Sequence, residues 1–234
     1  MTNEKATRWK LAQEYEANWW QSYHGELEWY REFSASIVSE LKPYMAISPE
    51  AKMLEIGSGA AGALTFIDSE HKYAVDPLEE MYAGNKQWQK FRDPRVKYYK
   101  AMGEDLPFET DFFDLIIIDN VLDHCENPDL VINEMDRVLK SGGFIFFRQN
   151  LYSGWGKIMR NVMELLLIDK GHPFTFKRKE LIRKFENKNW QIPSITDSGY
   201  AGTWIRELKS ASINGFVKAL FFIVRNKTTF IIEK

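Results

Sequence analysis

A short glycine-rich segment is the part of this sequence best suited to holding a ligand. Gly57, Gly59 and Gly62 follow an apolar run, and Glu55 stands just before the first of them. Glycines let the backbone turn tightly and approach a ligand without an intervening Cβ. Asp76 ends the next apolar run, where its carboxylate can accept hydrogen bonds from two ribose hydroxyls. The pattern therefore predicts a ligand that contains ribose.

Glu55 bears on which of two such ligands the segment binds. The glycine spacing matches the fingerprint of dinucleotide-binding proteins, so an NAD-dependent oxidoreductase is one alternative. A carboxylate beside the loop would repel a pyrophosphate, but it would attract a ligand that carries an ammonium and a sulfonium. S-adenosylmethionine has both positive groups. Glu55 therefore favours S-adenosylmethionine over NAD.

Two of the four histidines are candidates for chemistry on a methyl acceptor. An oxygen or nitrogen acceptor must lose a proton, and the imidazole group titrates near neutral pH. His124 follows an apolar run that ends at Asp119, and we predict that it is the general base. The alternative is a structural histidine that bonds to backbone at the start of a helix. His172, in a later loop, is the second candidate for the catalytic role.

We predict no metal site and no disulfide. Cys125 is the single cysteine, so an intramolecular disulfide and a C-x-x-C metal site are both impossible. The formal net charge is −2, which gives no general attraction to nucleic acid. The first ten residues contain charges of both signs and no apolar core, so we expect no secretory signal and a cytoplasmic protein.

These residues must be positioned by alternating strands and helices. Apolar runs and turn residues predict strands over 51–57, 71–76, 95–101, 114–119 and 144–150, with helices over 60–68, 77–91 and 127–140 between them. That alternation is typical of a parallel, doubly wound sheet. Beyond residue 150 we predict helices over 155–170, 178–187 and 203–224, and strands over 190–197 and 228–234.

The N-terminal region is rich in aromatic residues and predicts two helices, over 4–24 and 25–42. Its aromatic residues are Trp9, Trp19, Trp20, Tyr23, Trp29 and Tyr30. One interpretation is that these helices simply pack on the domain. The other is that they form a lid over a ligand site, because aromatic side chains are common in both cores and pockets. The sequence leaves both open.

Four motifs, in order, resemble those of the class I S-adenosylmethionine-dependent methyltransferases, in the small-molecule group called methyltransferase type 11. They are LEIGSGAAG, AVDPL, GEDLPFETDFFDLIIIDNVLDH and DRVLKSGGFIFF, and the likeness runs from about residue 51 to 147. The resemblance implies a three-layer, Rossmann-like α/β fold. Its sheet would be mostly parallel and seven-stranded, with an antiparallel last strand and helical lid elements. S-adenosyl-L-methionine is the implied cofactor.

The resemblance also implies roles for particular residues. The implied cofactor-binding residues are Glu55, Gly57, Ser58 and Gly59 in the loop, Asp76 on the ribose, Pro77, Leu78, Gly103 and Glu104 beside adenine, and Asp119 and Asn120 near the methionine part. The chain departs from the family pattern at three positions. Ala61 stands where the family has its third glycine, Met102 where an aspartate is common, and Ser141 where a proline is usual.

From these observations we predict one domain over 1–234. It divides into an N-terminal helical lid (1–45), a cofactor-binding core (51–150), an acceptor-side elaboration (151–227) and a final strand (228–234). The predicted function is O- or N-methylation of a small-molecule or glycan acceptor. A non-catalytic scaffold that binds S-adenosylmethionine is the alternative, besides the oxidoreductase. The apolar stretch 215–224 is too short to span a membrane but could lie on its surface.

Overall fold

The computed structural model describes residues 3–23, 27–165, 172–209, 219–220 and 223–234. The helices are α1 Asn3–Ser22, α2 Trp29–Leu41, α3 Glu79–Ala83, α4 Lys86–Gln89, α5 Pro128–Val138, α6 Gly154–Leu165, α7 Arg178–Glu186 and α8 Tyr200–Leu208. The strands are β1 Lys52–Ile56, β2 His71–Val75, β3 Val96–Tyr99, β4 Phe113–Asp119, β5 Leu139–Tyr152, β6 Gln191–Asp197 and β7 Arg225–Glu233.

In the described part of the chain, the strands form one seven-stranded sheet in the order β3-β2-β1-β4-β5-β7-β6. Strands β1 to β5 are parallel to their neighbours. Strand β7 is antiparallel to both β5 and β6, so β6 runs in the same direction as the first five. The predicted fold class, including the antiparallel last strand, is confirmed.

The central strand β4 shows why the sheet is covered on both faces. Its residues Leu115 to Ile118 are all buried, and successive side chains contribute to different apolar clusters. One cluster includes side chains of α5 and α7, and the other includes side chains of α1 to α4. A parallel strand buried on both faces reads as a continuous apolar run. Helices on both faces give the predicted three layers.

Helix α5 shows how local sequence signals position an element. The side chain of Asn127 accepts a hydrogen bond from the backbone N–H of Asp129, and Pro128 occupies the first turn. Both are favourable at a helix N-terminus. Val131, Met135 and their apolar neighbours on the same face are buried against the sheet. These signals therefore fix the residue at which the loop after β4 ends and α5 begins.

Three predicted elements differ from the structure. The helix predicted over 60–68 is a single 3₁₀ turn, Ala63–Phe66. The helix predicted over 77–91 is divided into α3 and α4 at Gly84, because Asn85 caps a new helix by accepting from the backbone N–H groups of Gln87 and Trp88. Strand β5 begins at Leu139 and includes 141–143, which we predicted to be a break between helix and strand.

The described residues include only part of the C-terminal region for which we predicted elements. Helix α8 begins at Tyr200 rather than 203, and the final strand begins at Arg225 rather than 228. Most of 215–224, the stretch for which we considered membrane contact, lies outside the described residues, as does the helix break near residue 24. Among the residues that the structure describes, no helix is both long and apolar enough to pass through a membrane.

Candidate functional site

A cavity of about 240 Å³ opens at the carboxyl edge of the sheet, beside the ends of β1, β2 and β4. This edge is where ligands bind in open parallel sheets. Every cofactor-binding residue that we predicted lines it: Glu55, Gly57, Ser58, Gly59, Asp76, Pro77, Leu78, Gly103, Glu104, Asp119 and Asn120. The structure therefore brings together residues that the sequence placed in four separate segments.

Glu55 holds the glycine loop in shape. Its carboxylate accepts hydrogen bonds from the backbone N–H groups of Ala63 and Leu64, at 2.9 and 3.0 Å. Gly62 makes this approach possible, because its φ is +78° and a Cβ there would lie 2.5 Å from the Glu55 Oε2 atom. Burial raises the pKa of Glu55 to about 7, against the opposing effect of the two N–H donors.

Asp76 carries out a similar task from β2. Its two oxygens accept from the backbone N–H groups of Gly59 and Leu78, both at 2.9 Å. Burial raises the pKa of Asp76 to about 6, although these donors favour the charged form. Each carboxylate oxygen has a second lone pair, so Asp76 can still accept hydrogen bonds from a ligand. Its position fits the predicted role on ribose hydroxyls.

Ser58 lines the cavity and connects the glycine loop to α2. The residue is buried, and within the described part of the chain its Oγ atom has no hydrogen-bond partner. Its backbone carbonyl accepts from the Tyr30 hydroxyl at 3.0 Å, which ties α2 to the glycine loop.

The residues after β4 are held by side chains of β5. The Arg148 guanidinium donates to both oxygens of Asp119, at 2.7 and 2.6 Å. Asn120 has a φ of +56°, and its side-chain oxygen accepts from Gln149 and from the backbone N–H of Asn150. A positive φ is uncommon for a residue other than glycine. These bonds stabilise that conformation at the cavity wall.

Gly103 and Glu104 help to build the opposite wall. A Cβ on Gly103 would lie 3.1 Å from Ile56 and 3.3 Å from Val131, so glycine allows this loop to pack closely against β1 and α5. The Glu104 carboxylate accepts from the backbone N–H groups of Glu126 and Asn127. Glu104 therefore positions the start of α5 as well as lining the cavity.

Residues of helices α1 and α2 form one wall of the cavity. The sequence left open whether these helices border a ligand site or only pack on the domain. Trp9, Gln13, Glu16 and Trp20 lie on one face of α1 and line the cavity. Their spacing of three or four residues is the signal that could have identified this face. Trp20 also packs on Tyr82 and Trp88, with ring centroids 5.5 and 5.6 Å apart. Trp20 therefore belongs both to the core and to the cavity wall.

The charge of the lining restricts the ligand. Five carboxylates line the cavity: Glu16, Glu55, Asp76, Glu104 and Asp119. None of the lining residues described is a lysine or an arginine. Aromatic rings of Trp9, Trp20, Trp29, Tyr30, Phe33 and Tyr82 complete the wall, and aromatic faces attract cations. The site suits a ligand with positive charge and disfavours a pyrophosphate.

The two predicted catalytic histidines lie together, but they border different spaces. Their ring centroids are 4.5 Å apart. His124 lines the cavity described above, whereas His172 lines a second cavity of about 90 Å³. Asp123 also lines the second cavity and lies close to both rings. The sequence missed Asp123, because its neighbour His124 was the more conspicuous candidate.

Fold and site together define a class, the Rossmann-like α/β methyltransferases. Three features support this class: the strand order with its antiparallel β7, the glycine loop and the acidic cavity. Residues 54–147 match the model of a methyltransferase domain family, Methyltransf_11. The predicted resemblance to S-adenosylmethionine-dependent methyltransferases is confirmed over these residues, and the match supports S-adenosylmethionine as the ligand rather than NAD.

Three similar proteins differ in what their names say they do. The chain is 35% identical over 119 residues to an uncharacterized protein of Methanocaldococcus jannaschii, covering 50% of this chain and 54% of the relative. It is 30% identical to the sarcosine/dimethylglycine N-methyltransferase of Aphanothece halophytica, covering 41% of this chain and 36% of the relative. The chain thus spans about half or less of these relatives' lengths.

The third is a solved structure. Geranyl diphosphate C-methyltransferase from Streptomyces coelicolor A3(2), in complex with Mg²⁺, geranyl diphosphate and S-adenosyl-L-homocysteine, superposes with a TM-score of 0.65. The likeness covers 91% of this chain and 86% of that chain at 15% sequence identity. At this identity the comparison shows a shared fold.

Proposed function

We propose that this protein transfers a methyl group from S-adenosylmethionine to a small-molecule acceptor. The observation that carries the proposal is the cavity lining, which has five carboxylates and, among the described residues, no lysine or arginine. A ligand with a sulfonium and an ammonium complements that charge, whereas a dinucleotide would bring a pyrophosphate into it. Bound S-adenosylmethionine would supply an activated methyl group on its positive sulfur.

Different residues of the chain would contact different parts of the cofactor. Asp76 would accept hydrogen bonds from the ribose, and Pro77, Leu78 and Gly103 would border the adenine. Asp119 and Asn120 would face the methionine part. Glu55 contributes through the loop that it holds and through its negative charge, since its two oxygens already accept backbone hydrogen bonds. Positioning of donor and acceptor in this way lowers the barrier to an in-line displacement.

Ligand-dependent stability tests the cofactor directly. Thermal unfolding should be measured with S-adenosylmethionine, S-adenosylhomocysteine and NAD, each over the same series of ligand concentrations. A ligand at about one hundred times its dissociation constant adds about 2.7 kcal/mol to the free energy of unfolding. We expect a rise in Tm with the two adenosyl ligands and none with NAD. Stabilisation by NAD alone would overturn the proposal.

The acceptor belongs on the histidine side of the cavity. His124 borders the cofactor cavity, and the second cavity next to it has Asn150, Tyr152, Arg160 and Arg225 on its walls. We infer a small polar acceptor, methylated on oxygen or nitrogen. The relative from Aphanothece halophytica bears the name of an N-methyltransferase of small amino acids, which supports a nitrogen acceptor. A glycan remains the other predicted acceptor.

Release of S-adenosylhomocysteine identifies the acceptor. The protein should be incubated with S-adenosylmethionine and panels of methylated glycines, phenols and quinols, hydroxy acids and sugars. We expect product from one small-molecule panel. If the protein binds S-adenosylhomocysteine but releases none with any panel, the scaffold alternative is supported and the proposed activity fails.

The role of His124 as general base stays a prediction. Loss of a positioned base typically lowers the rate about a hundredfold or more. With the acceptor from such a screen, His124→Asn should therefore reduce turnover by that factor while S-adenosylhomocysteine affinity changes little. His172→Asn is the matched variant, since the two rings are in contact. A larger loss in His172→Asn than in His124→Asn would transfer the role to His172.

A further inference from the structure

Asp123, His124 and His172 form a compact cluster beside the proposed acceptor site. The Nε2 atom of His124 lies 3.8 Å from Oδ1 of Asp123, and the Nε2 atom of His172 lies 3.9 Å from Oδ2. One ligand atom from each of the three residues lies within 4.8 Å of the others. Both distances to Asp123 exceed a hydrogen bond, so direct bonding between the histidines and Asp123 does not explain the cluster.

We propose that these three side chains bind a divalent transition-metal cation. Two imidazole nitrogens and one carboxylate are a ligand set suited to such ions. Metal–ligand bonds of about 2.0–2.2 Å place neighbouring ligand atoms roughly 3 to 3.5 Å apart. The three ligand atoms, one from each residue, now lie within 4.8 Å of one another, so binding requires the side chains to approach each other by roughly 1 to 2 Å. The nitrogen donors disfavour Mg²⁺ and Ca²⁺, which prefer oxygen.

Polar groups lie beside two members of the cluster, Asp123 and His124. Gln149 donates to Oδ1 of Asp123 at 2.8 Å, and both residues are buried. With Nε2 of His124 facing Asp123, its Nδ1 faces Oε2 of Glu16 at 4.0 Å. That Nδ1 atom is buried and has no hydrogen-bond partner among the described residues. A carboxylate behind a metal-binding imidazole is a frequent arrangement, because it orients the ring and fixes its tautomer.

The backbone also joins the two halves of the cluster. The N–H of Phe174 donates to the carbonyl of Asp123 at 3.4 Å, which links the loop that carries His172 to the turn that carries His124. The ligands thus come from two segments that are far apart in sequence but are tied together next to the site. Ligands held in this way lose little freedom on binding an ion.

The cation would lie at the boundary between the two cavities. His124 lines the cofactor cavity, whereas Asp123 and His172 line the second cavity. Three protein ligands leave coordination positions open for water or for an acceptor heteroatom. Arg160 and Arg225 line the second cavity together with the acidic Glu207, so polar groups of both signs surround the acceptor. This role for the cation rests on the proposed methyl transfer, whereas the binding of the cation does not.

Cation binding and the general-base role of His124 exclude each other. A metal ion uses the imidazole lone pair that a base needs for a proton. If the site holds a cation, the acceptor proton is acidified by coordination, since a metal ion lowers the pKa of a bound oxygen acid. Proton transfer to solvent then requires no histidine.

Cobalt titration of the whole chain tests the proposal. The untagged protein, stripped of metal with a chelator, is titrated with Co²⁺ and followed by visible absorption, which reports nitrogen and oxygen ligation. We expect one Co²⁺ per chain and about a hundredfold weaker binding in Asp123→Asn and in His172→Asn. His71→Asn is the matched control, because His71 is exposed at the start of β2. It should bind Co²⁺ like the parent protein.

S-adenosylhomocysteine is titrated into the same variants by calorimetry, which shows whether they are folded. Co²⁺ binding without S-adenosylhomocysteine binding would contradict the proposed function but would still support the metal site. Absence of stoichiometric Co²⁺ binding would overturn the metal site. So would binding that Asp123→Asn and His172→Asn leave unchanged. Should Asp123→Asn fail to fold, His172→Asn alone decides.

Discussion

Asp76 illustrates how one side chain can serve both the loop and the ligand. Its two oxygens accept backbone hydrogen bonds from Gly59 and Leu78, on either side of the cavity. The carboxylate is thereby fixed before any ligand arrives, and its remaining lone pairs face the same space. Preorganisation of this kind reduces the entropy lost on binding. It also means that a substitution affects the loop as well as the contact with ligand.

Asp76→Asn should weaken binding of S-adenosylhomocysteine by roughly 1–3 kcal/mol. The amide keeps one acceptor oxygen, but its NH₂ group faces a backbone donor, so one hydrogen bond of the loop and part of the ribose contact are lost. Calorimetric titration measures the effect. Asp129→Asn, at the exposed start of α5, is the control and should bind as the parent protein does. Equal affinity in the two variants would place the ribose elsewhere.

At the scale of elements, α1 has two functions that the sequence could not separate. Trp20 is buried among Tyr82 and Trp88, whereas Trp19 is 47% exposed and belongs to neither core nor cavity wall. The face with Trp9, Gln13 and Glu16 lines the cofactor cavity. We predict that this helix acts as a lid and moves when the ligand enters. Lids of this kind admit the ligand and then exclude water.

Amide hydrogen exchange over residues 3–23 should slow when S-adenosylhomocysteine binds. The ligand adds contacts to the cavity face of α1 and so lowers the population of open states. Helix α7, which packs in the other apolar cluster, is the internal control and should exchange at the same rate with and without ligand. Unchanged exchange in α1 would show that the helix is only a packed wall.

At the scale of the whole molecule, the sheet concentrates carboxylates at one edge. Strands β1, β2 and β4 each end with an acid there, and burial raises the pKa of Glu55 to about 7 and that of Asp76 to about 6. The charged forms of both groups are thus disfavoured in the free protein. A cationic ligand relieves this cost, which links the stability of the fold to occupation of the site.

The free energy of unfolding should fall as the pH rises from about 4.5 to 8. The ordinary pKa values of Asp and Glu are about 3.9 and 4.3, so both groups bind protons more strongly in the folded state. Their stabilising effect is complete below these values and is lost as the pH passes through about 6 and about 7. The expected loss is on the order of 2 kcal/mol for each group.

Other carboxylates do not mask this pH effect. Ion pairs lower the pKa values of Asp93, Glu134 and Glu180, so these groups contribute below about pH 5. Urea unfolding at several pH values gives the measurement. Glu55→Gln should flatten the decline, and saturating S-adenosylmethionine should reduce it. A free energy that rises from pH 5 to 8 would contradict the prediction.

Much of the fold could be predicted because its signals are local. The buried run DLIIID indicates a central strand, and the glycines with Asp76 indicate a ligand edge, since parallel strands deliver their carboxyl ends to one side. Short helices were less predictable. The stretch 77–91 has helical composition throughout, but Gly84 and the cap at Asn85 divide it. Capping depends on side-chain geometry, which composition does not specify.

By itself, the sequence determined the class of fold, the glycine loop and the set of residues at the cofactor edge. Only the tertiary structure decided what those residues contact. It turned Glu55 toward the N–H groups of Ala63 and Leu64, and it brought Asp123 close to both His124 and His172. Neither arrangement has a signal in spacing, because packing between segments distant in the chain sets it. For that reason the proposed metal site was invisible in a sequence with one cysteine and scattered histidines.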